Sequence, residues 1–152
     1  RLIRRQREKD AQKLSLLRNH LLTRLQTAFP RSEVNGSLEH RLPNNLNVSI
    51  PGLISERLFR HLDTVALSAG AACSAPGLGG SYVIKALSAA LSPTIATEAA
   101  AARAESSLRF GLGRFTTSDE IERASKDLIA AISEQLRSPS GVDDRASGAC
   151  GG

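Results

Sequence analysis

The sequence contains no methionine and no tryptophan, and only 3% of its residues are aromatic. Any hydrophobic core must therefore be built from leucine, isoleucine, valine and alanine. No apolar run approaches the roughly 18 residues that a membrane-spanning helix needs, so we expect no membrane association. Methionine is missing even at position 1, which indicates a piece of a longer protein or a processed product.

Cysteine is scarce as well. Cys73 and Cys150 cannot make a disulfide framework, and no Cys/His cluster has the spacing of a zinc site, so we expect no metal site. The N-terminus lacks the apolar region of a signal peptide, and Glu8 and Asp10 come too early for a typical transit peptide. The expected location is the cytoplasm, with a mitochondrion or plastid as the alternative in a eukaryote.

The charge is unevenly distributed along a chain of 152 residues, which is long enough for one domain. The net charge is +5, yet residues 1–30 carry eight basic and two acidic groups and the remainder is nearly neutral. A nucleic-acid binder that uses the basic segment would bind in a strongly salt-dependent manner. The single tyrosine and the lack of interleaved aromatic residues argue against a base-stacking surface.

Hydrophobic periodicity predicts an α/β sandwich with a small sheet whose helices cover one face. Leu14, Leu17, Leu21 and Leu25 form the apolar stripe of a first helix, and residues 1–13 are predicted to be solvated helix or a connector. Residues 31–36 are predicted to be coil. The further predicted elements are strands at 46–50, 65–67 and 107–112 and helices at 55–62, 81–91 and about 118–137.

Three details of this pattern bear on function. In the last strand, Arg109 is expected to point away from the face that Leu108 and Phe110 bury. Thr117 and Glu120 form a candidate capping box at the start of the last helix. The alanine-rich stretch 92–105 is predicted to be helical padding or a surface insertion, and the tail 138–152 is predicted to be disordered.

Cys73 lies in the segment SAGAACSAPGLGG, whose small and helix-breaking residues predict a mobile loop. A thiol on such a loop can reach a distant reaction centre, and its thiolate is a strong nucleophile. The alternative is a small buried apolar residue, since free cysteine is among the most buried residue types. No neighbouring His, Lys or Arg accounts for a lowered pKa, so the residues alone leave both interpretations open.

A resemblance to a known family favours the nucleophile. The chain is similar, over about residues 10–137, to the C-terminal domain of the cysteine desulfurases of the class V aminotransferase family, especially the NifS/IscS-like group with a long cysteine loop. The motifs that carry the resemblance are LEHRLPNNLNVSI (38–50), VALSAGAACSA (65–75), SYVIKAL (81–87) and SSLRFGLGRFTTSDEI (106–121). They occur in the family's order, with the family's spacing between Cys73 and Ser81.

The resemblance implies the small domain of a fold-type I pyridoxal-phosphate transferase, with three to four strands and helices packed on one face. It implies removal of sulfur from L-cysteine, which gives L-alanine and a persulfide on Cys73. Arg109 matches the arginine that holds the substrate carboxylate. Asn47 could border the substrate site, and a sheet-edge hydrogen bond is an equal alternative. Cys73 is also a candidate transient iron–sulfur ligand together with a scaffold partner.

The resemblance also implies what the chain does not contain. The family binds pyridoxal phosphate in a large N-terminal domain, and none of Lys9, Lys13, Lys85 and Lys126 lies in the family's cofactor-lysine setting. We therefore predict no cofactor-binding residues in this chain and no desulfurase activity of the chain alone. The expected partners are L-cysteine, a sulfur acceptor or iron–sulfur scaffold protein, and a second subunit in the family's homodimer, with neither nucleic acid nor membrane.

The implied organisation has three parts. Residues 1–30 form a basic connecting helix that leads into the domain, residues 31–137 form the domain with its cysteine loop at about 68–80, and residues 138–152 form the tail. Two alternatives share these features: a selenocysteine lyase, and a truncated, non-catalytic persulfide-carrier or interaction domain. Relative turnover of cysteine and selenocysteine separates the first alternative. An adjacent reading frame with the cofactor lysine would argue against the second.

Overall fold

A computed structural model describes residues 2–60, 62, 68–69, 82–91 and 97–138. The helices and strands, in chain order, are α1 (Leu2–Ala28), β1 (Glu33–Val34), β2 (Asn45–Ser49), α2 (Ser55–Phe59), β3 (Ser68–Ala69), α3 (Tyr82–Leu91), α4 (Thr97–Glu105), β4 (Ser107–Gly111) and α5 (Ser118–Arg137). The α/β class predicted from the sequence is confirmed.

The strands form one antiparallel sheet in the order β1-β2-β4-β3. Strands β2 and β4 pair along their whole length at the centre, and the two-residue strands β1 and β3 flank them. The prediction of coil at 31–36 is wrong at Glu33–Val34, because these residues pair with Ser49 and Val48 of β2. The strand predicted at 65–67 lies outside the described residues.

One face of the sheet is hydrophobic and carries the core. Leu46 and Val48 of β2 lie opposite Phe110 and Leu108 of β4, and all four are buried. They belong to one apolar cluster with side chains from three helices, namely Leu17, Leu21 and Leu25 of α1, Leu58 of α2 and Ile121, Leu128 and Ile132 of α5. The predicted strand alternation and the predicted helix stripes therefore meet in a single core.

Helix α1 is longer than its apolar stripe and packs along α5. His20 Nε2 lies 2.6 Å from Glu122 Oε1, and Arg24 Nη1 lies 2.6 Å from Glu122 Oε2. Nearer the start of the helix, Asp10 pairs with Arg114 at 3.4 Å. Helix α1 is thus packed against the rest of the described chain. The role of residues 1–30 as a connector from a further domain stays a prediction.

The capping box of α5 is confirmed. Thr117 Oγ1 accepts a hydrogen bond from the Glu120 backbone N–H at 3.3 Å, and Glu120 Oε2 accepts one from the Thr117 backbone N–H at 2.8 Å. The pKa of Glu120 is lowered first by the bond that its carboxylate accepts from the Thr117 backbone, and next by the bond that it accepts from Thr117 Oγ1 at 3.1 Å. Among the described helices, none is long and apolar enough to cross a membrane.

The alanine-rich stretch contains a genuine helix. The described residues of the stretch form α4, which packs beside α3 and buries Ala100 and Ala104. Helix α4 leads through Ser106 directly into β4. This position brings the last turn of α4 next to the sheet, where Arg103 and Asn35 contact each other.

Candidate functional site

The backbone register of the sheet places three polar residues in one row across three strands. Asn47 of β2 and Ser68 of β3 both lie opposite Arg109 of β4. Successive residues of a strand point to opposite faces, so Asn47 and Arg109 lie on the face away from Leu46 and Leu108. The predicted orientation of Arg109 is therefore consistent with the observed register, and Arg109 is partly buried there.

Asn47 is joined to Asn35, the residue that follows β1. The Asn35 backbone N–H donates to the Asn47 carbonyl at 2.9 Å, and Asn35 Nδ2 donates to Asn47 Oδ1 at 2.8 Å. Asn35 is only 6% exposed. A buried amide without partners would be costly, so these bonds account for an asparagine at this depth. Of the two roles predicted for Asn47, the sheet hydrogen bond is present.

Two buried serines lie beside this pair. Ser49 Oγ is 2.8 Å from Ser107 Oγ, and Asn35 Nδ2 lies 2.8 Å from Ser49 Oγ and 3.2 Å from Ser107 Oγ. Both hydroxyls also donate to the backbone carbonyl of Arg103, at 3.0 Å and 2.7 Å. The carbonyl lies in the last turn of α4, whose last four carbonyls have no partner within the helix.

The Arg103 side chain completes the arrangement. Its Nε donates to Asn35 Oδ1 at 2.8 Å, and its Nη1 lies 2.8 Å from Glu33 Oε2. We call the resulting set of bonded side chains the polar network; it consists of Glu33, Asn35, Asn47, Ser49, Arg103 and Ser107. The network fastens α4 and the edge strand β1 to the central strands, next to Arg109.

Arg41 supports the same region from the loop that precedes β2. Its Nη2 donates to the Asn35 carbonyl at 2.7 Å. Burial lowers the pKa of Arg41, and the nearby charge of Arg18 lowers it further. Arginine still keeps its proton at physiological pH, so Arg41 remains a cation beside the end of β1. The guanidinium of Arg109 beside the amide of Asn47 suits recognition of a carboxylate.

The structure brings together only some of the residues predicted for the site. Arg109 and Asn47 lie opposite each other in adjacent strands. Cys73 lies outside the described residues, as does all of the predicted loop 68–80 except Ser68 and Ala69. In the described part of the chain, no group of three or more His, Cys, Asp and Glu residues could hold a metal ion.

Sequence reasoning did not identify Glu33, Asn35 and Arg103. The side-chain bonds that join them to each other and to Asn47 span 12 or more positions of the chain, so no local periodicity marks them. A signal was present at Asn35-Gly36, because Asn-Gly often marks a tight turn. Gly36 indeed has φ +82°, which fixes a sharp change of direction directly after Asn35.

The described residues do not fit pyridoxal phosphate. That group needs a lysine for its aldehyde and a partner for its ring nitrogen within one cavity. Lys9, Lys13 and Lys126 are exposed on helices, and Lys13 Nζ donates to the Arg114 carbonyl at 3.2 Å. The fourth lysine, Lys85, has a side chain outside the described set.

Comparison with known proteins shows a similarity to part of the cysteine desulfurases. The chain is 39% identical over 136 residues to the cysteine desulfurase IscS of Anaeromyxobacter sp. (strain K), a match that covers 90% of this chain and 30% of that protein. The chain is related to part of the cysteine desulfurases. The IscS of Vibrio vulnificus (strain CMCP6) is 38% identical over 90% of this chain and 31% of its own length. No protein-family model matches.

Solved structures agree on the fold. A NifS-like protein superposes with a TM-score of 0.62 at 21% identity, over 84% of this chain and 29% of its own. A NifS-like protein from Rickettsia africae gives a TM-score of 0.57 at 20% identity, over 80% of this chain and 28% of its own. This chain thus has the fold of part of a NifS-like protein, and it spans about 30% of the length of the desulfurases that it matches. The sequence resemblance to cysteine desulfurases is confirmed, and the extent of the match is that of a C-terminal portion.

Proposed function

We propose that this chain is the C-terminal part of a cysteine desulfurase, in which Cys73 receives sulfur from L-cysteine and Arg109 binds the carboxylate of that substrate. The observation that carries the proposal is the row formed by Ser68, Arg109 and Asn47 across three strands. This row places Arg109 next to β3, the strand from which the chain continues towards Cys73. The relation to cysteine desulfurases over 90% of the chain supports the chemistry.

The position of Arg109 suits a carboxylate anchor. It stands on β4 in the centre of the sheet, with β2 on one side and β3 on the other. A guanidinium can hold a carboxylate through two parallel N–H···O bonds, which fixes both the position and the direction of the substrate. An anchor on a central strand moves less than one on a loop, because neighbouring strands hold it on both sides.

Cys73 follows Ser68 by five residues in the chain. Five residues of fully extended chain span at most about 18 Å, which limits how far the thiol can be from the strand that pairs with Arg109. The residues between them are Ala69, Gly70, Ala71 and Ala72. Their small side chains suit a thiol that must meet first the substrate and then an acceptor.

The proposed transfer is a nucleophilic displacement at sulfur. The Cys73 thiolate attacks the sulfur of L-cysteine, a new S–S bond forms, and the bond between that sulfur and the substrate β-carbon breaks. The electron pair of the broken bond stays with carbon, which takes up a proton to give L-alanine, and Cys73 is left as a persulfide. Pyridoxal phosphate, held outside this chain, supplies the electron sink that such a cleavage needs.

The proposal includes the setting of the complete enzyme. The cofactor-binding part belongs to another portion of the protein, a sulfur acceptor or iron–sulfur scaffold protein takes the persulfide sulfur, and two subunits form a dimer in the cytoplasm. The isolated chain is inactive on this proposal, because the described residues do not fit the cofactor. Neither nucleic acid nor a membrane takes part.

The test is a full-length desulfurase in which this chain replaces the matching portion of the Anaeromyxobacter relative. We expect alanine release from L-cysteine and a mass increase of one sulfur atom on Cys73, both lost in Cys73→Ser. Cys150→Ser is the matched control and keeps both. Sulfur transfer that survives Cys73→Ser would overturn the proposal, as would alanine release by the 152-residue chain alone with added pyridoxal phosphate.

A further inference from the structure

The hydrogen bonds of the polar network determine which end of the Asn35 and Asn47 side-chain amides is oxygen and which is nitrogen. Arginine has only donors, so the Asn35 atom that faces Arg103 Nε must be the oxygen, as the 2.8 Å contact to Oδ1 has it. The other end of that amide is a nitrogen, and it faces Asn47. The Asn47 atom that receives it must therefore be the oxygen, which leaves the Asn47 nitrogen on the side away from Asn35.

Arg103 therefore determines the orientation of both amides: it fixes the Asn35 amide, and the Asn35 amide in turn fixes that of Asn47. Glu33 holds the Arg103 guanidinium at 2.8 Å and keeps it in this position. The two serines support the same orientation, because each donates its hydroxyl proton to the Arg103 carbonyl and can therefore only accept from Asn35. Arg103 thus acts twice: its guanidinium can only donate to Asn35 Oδ1, and its carbonyl takes the protons of both hydroxyls.

We propose that Arg103 and Asn35 are positioning residues that fix the Asn47 amide, so that Asn47 offers N–H donors beside Arg109 to the substrate carboxylate. This inference rests on the proposed function for the identity of the ligand, but the orientation of the amides does not. Asn47 and Arg109 lie directly opposite in adjacent strands, on the same face. A reversed Asn47 would present its carbonyl oxygen there, and that oxygen would repel a carboxylate.

The orientation is measured on the 152-residue chain by NMR, without any activity. In the wild type we expect a scalar coupling across the hydrogen bond from Asn35 Nδ2 to the Asn47 side-chain carbonyl carbon. In Arg103→Met, which removes the donors at similar length, we expect that coupling to weaken or vanish while the backbone spectrum stays dispersed. A wild-type coupling in the opposite sense, from Asn47 Nδ2 to Asn35, would overturn the inference, as would full retention of the coupling in Arg103→Met.

The consequence for the substrate is measured in the full-length chimaeric desulfurase. In Asn35→Asp both side-chain oxygens can only accept hydrogen bonds, so the Asn47 amide must turn its nitrogen towards position 35. We therefore expect the KM for L-cysteine to rise about tenfold, with a smaller change in kcat. Ser106→Ala is the matched control, because it removes a hydrogen bond to the Arg103 carbonyl without touching the amide chain. Its KM should be unchanged.

A double-mutant cycle separates positioning from general stability. In an Asn47→Ala background, Asn35→Asp should raise KM no further, because the amide through which it acts is gone. Additive effects of the two substitutions would show that Asn35 acts in another way and would overturn the inference. Loss of substrate binding on changing Arg109 while Asn35→Asp has no effect would also overturn it, and would leave the proposed function standing.

Discussion

Asn47 and Arg109 lie directly opposite each other in the two central strands of the sheet, on the face that the hydrophobic core does not use. Both are partly buried, and Ser68 lies on the other side of Arg109. Side chains at opposed positions of an antiparallel pair are near neighbours. The pairing therefore places an amide and a guanidinium side by side.

Replacement of Arg109 should weaken substrate binding more than it weakens the fold. In the chimaeric desulfurase we expect Arg109→Gln to raise KM for L-cysteine about a hundredfold, because two charge-assisted hydrogen bonds are lost. Arg109→Lys keeps the charge but loses the paired hydrogen-bond geometry, so its KM should lie between those of the wild type and Arg109→Gln. Steady-state kinetics measure both variants. Arg31→Gln, at an exposed position after α1, is the control, and equal KM values for it and for Arg109→Gln would contradict the prediction.

The sequence predicted best those features that local pattern controls. The alternation at 46–50 and 107–112 predicted the two central strands, and it also predicted that Arg109 faces away from Leu108. Thr117 and Glu120 predicted the start of α5, since a capping box is a contact between residues three apart. Each of these signals lies within a few positions of the structure that it specifies.

The features that the sequence did not predict depend on distant partners. Strand β1 has two residues, too few to show any periodicity, and it exists because Val34 pairs with Val48 of β2. Asn35 has the composition of a loop residue, yet it is buried because Asn47 and Arg103 satisfy its amide. A buried polar residue is recognised only when its partners are known, and these are 12 and 68 positions away.

Because α1 contributes leucines to the core, truncation of one of them should lower the free energy of unfolding substantially. Leu25 is 0% exposed, and we expect Leu25→Ala to lower the free energy of unfolding by about 2–5 kcal/mol. Leu16 lies on the same helix at 71% exposure, so Leu16→Ala should change it by no more than about 0.5 kcal/mol. Urea unfolding of the 152-residue chain measures both. Similar values for the two variants would mean that α1 is not packed as described.

The turn after β2 predicts that Gly52 tolerates no side chain. Its φ is +87°, and a Cβ there would lie 3.3 Å from Leu136 Cδ2 of α5. Gly52→Ala should therefore destabilise the chain by about 1–2 kcal/mol. Gly111 in β4 is the matched control, since a Cβ there meets nothing within 4 Å, and Gly111→Ala should be neutral or slightly stabilising. Thermal unfolding compares them, and a neutral Gly52→Ala would contradict the turn geometry.

The capping box predicts a pH dependence of stability on the acid side. Hydrogen bonds from Thr117 lower the pKa of Glu120 in the folded chain. The stabilisation from the carboxylate is therefore complete above the ordinary glutamate pKa of about 4.3 and declines as the pH falls through the lower value of the folded state. Glu120→Gln keeps an acceptor but does not titrate, so the wild type should lose its advantage over this variant on acidification. Urea unfolding at several pH values measures the difference, and in a Thr117→Ala background the pH-dependent part should shrink. A stability difference in favour of the wild type that increased as the pH fell would contradict the prediction, because protonation of Glu120 should remove its stabilising effect.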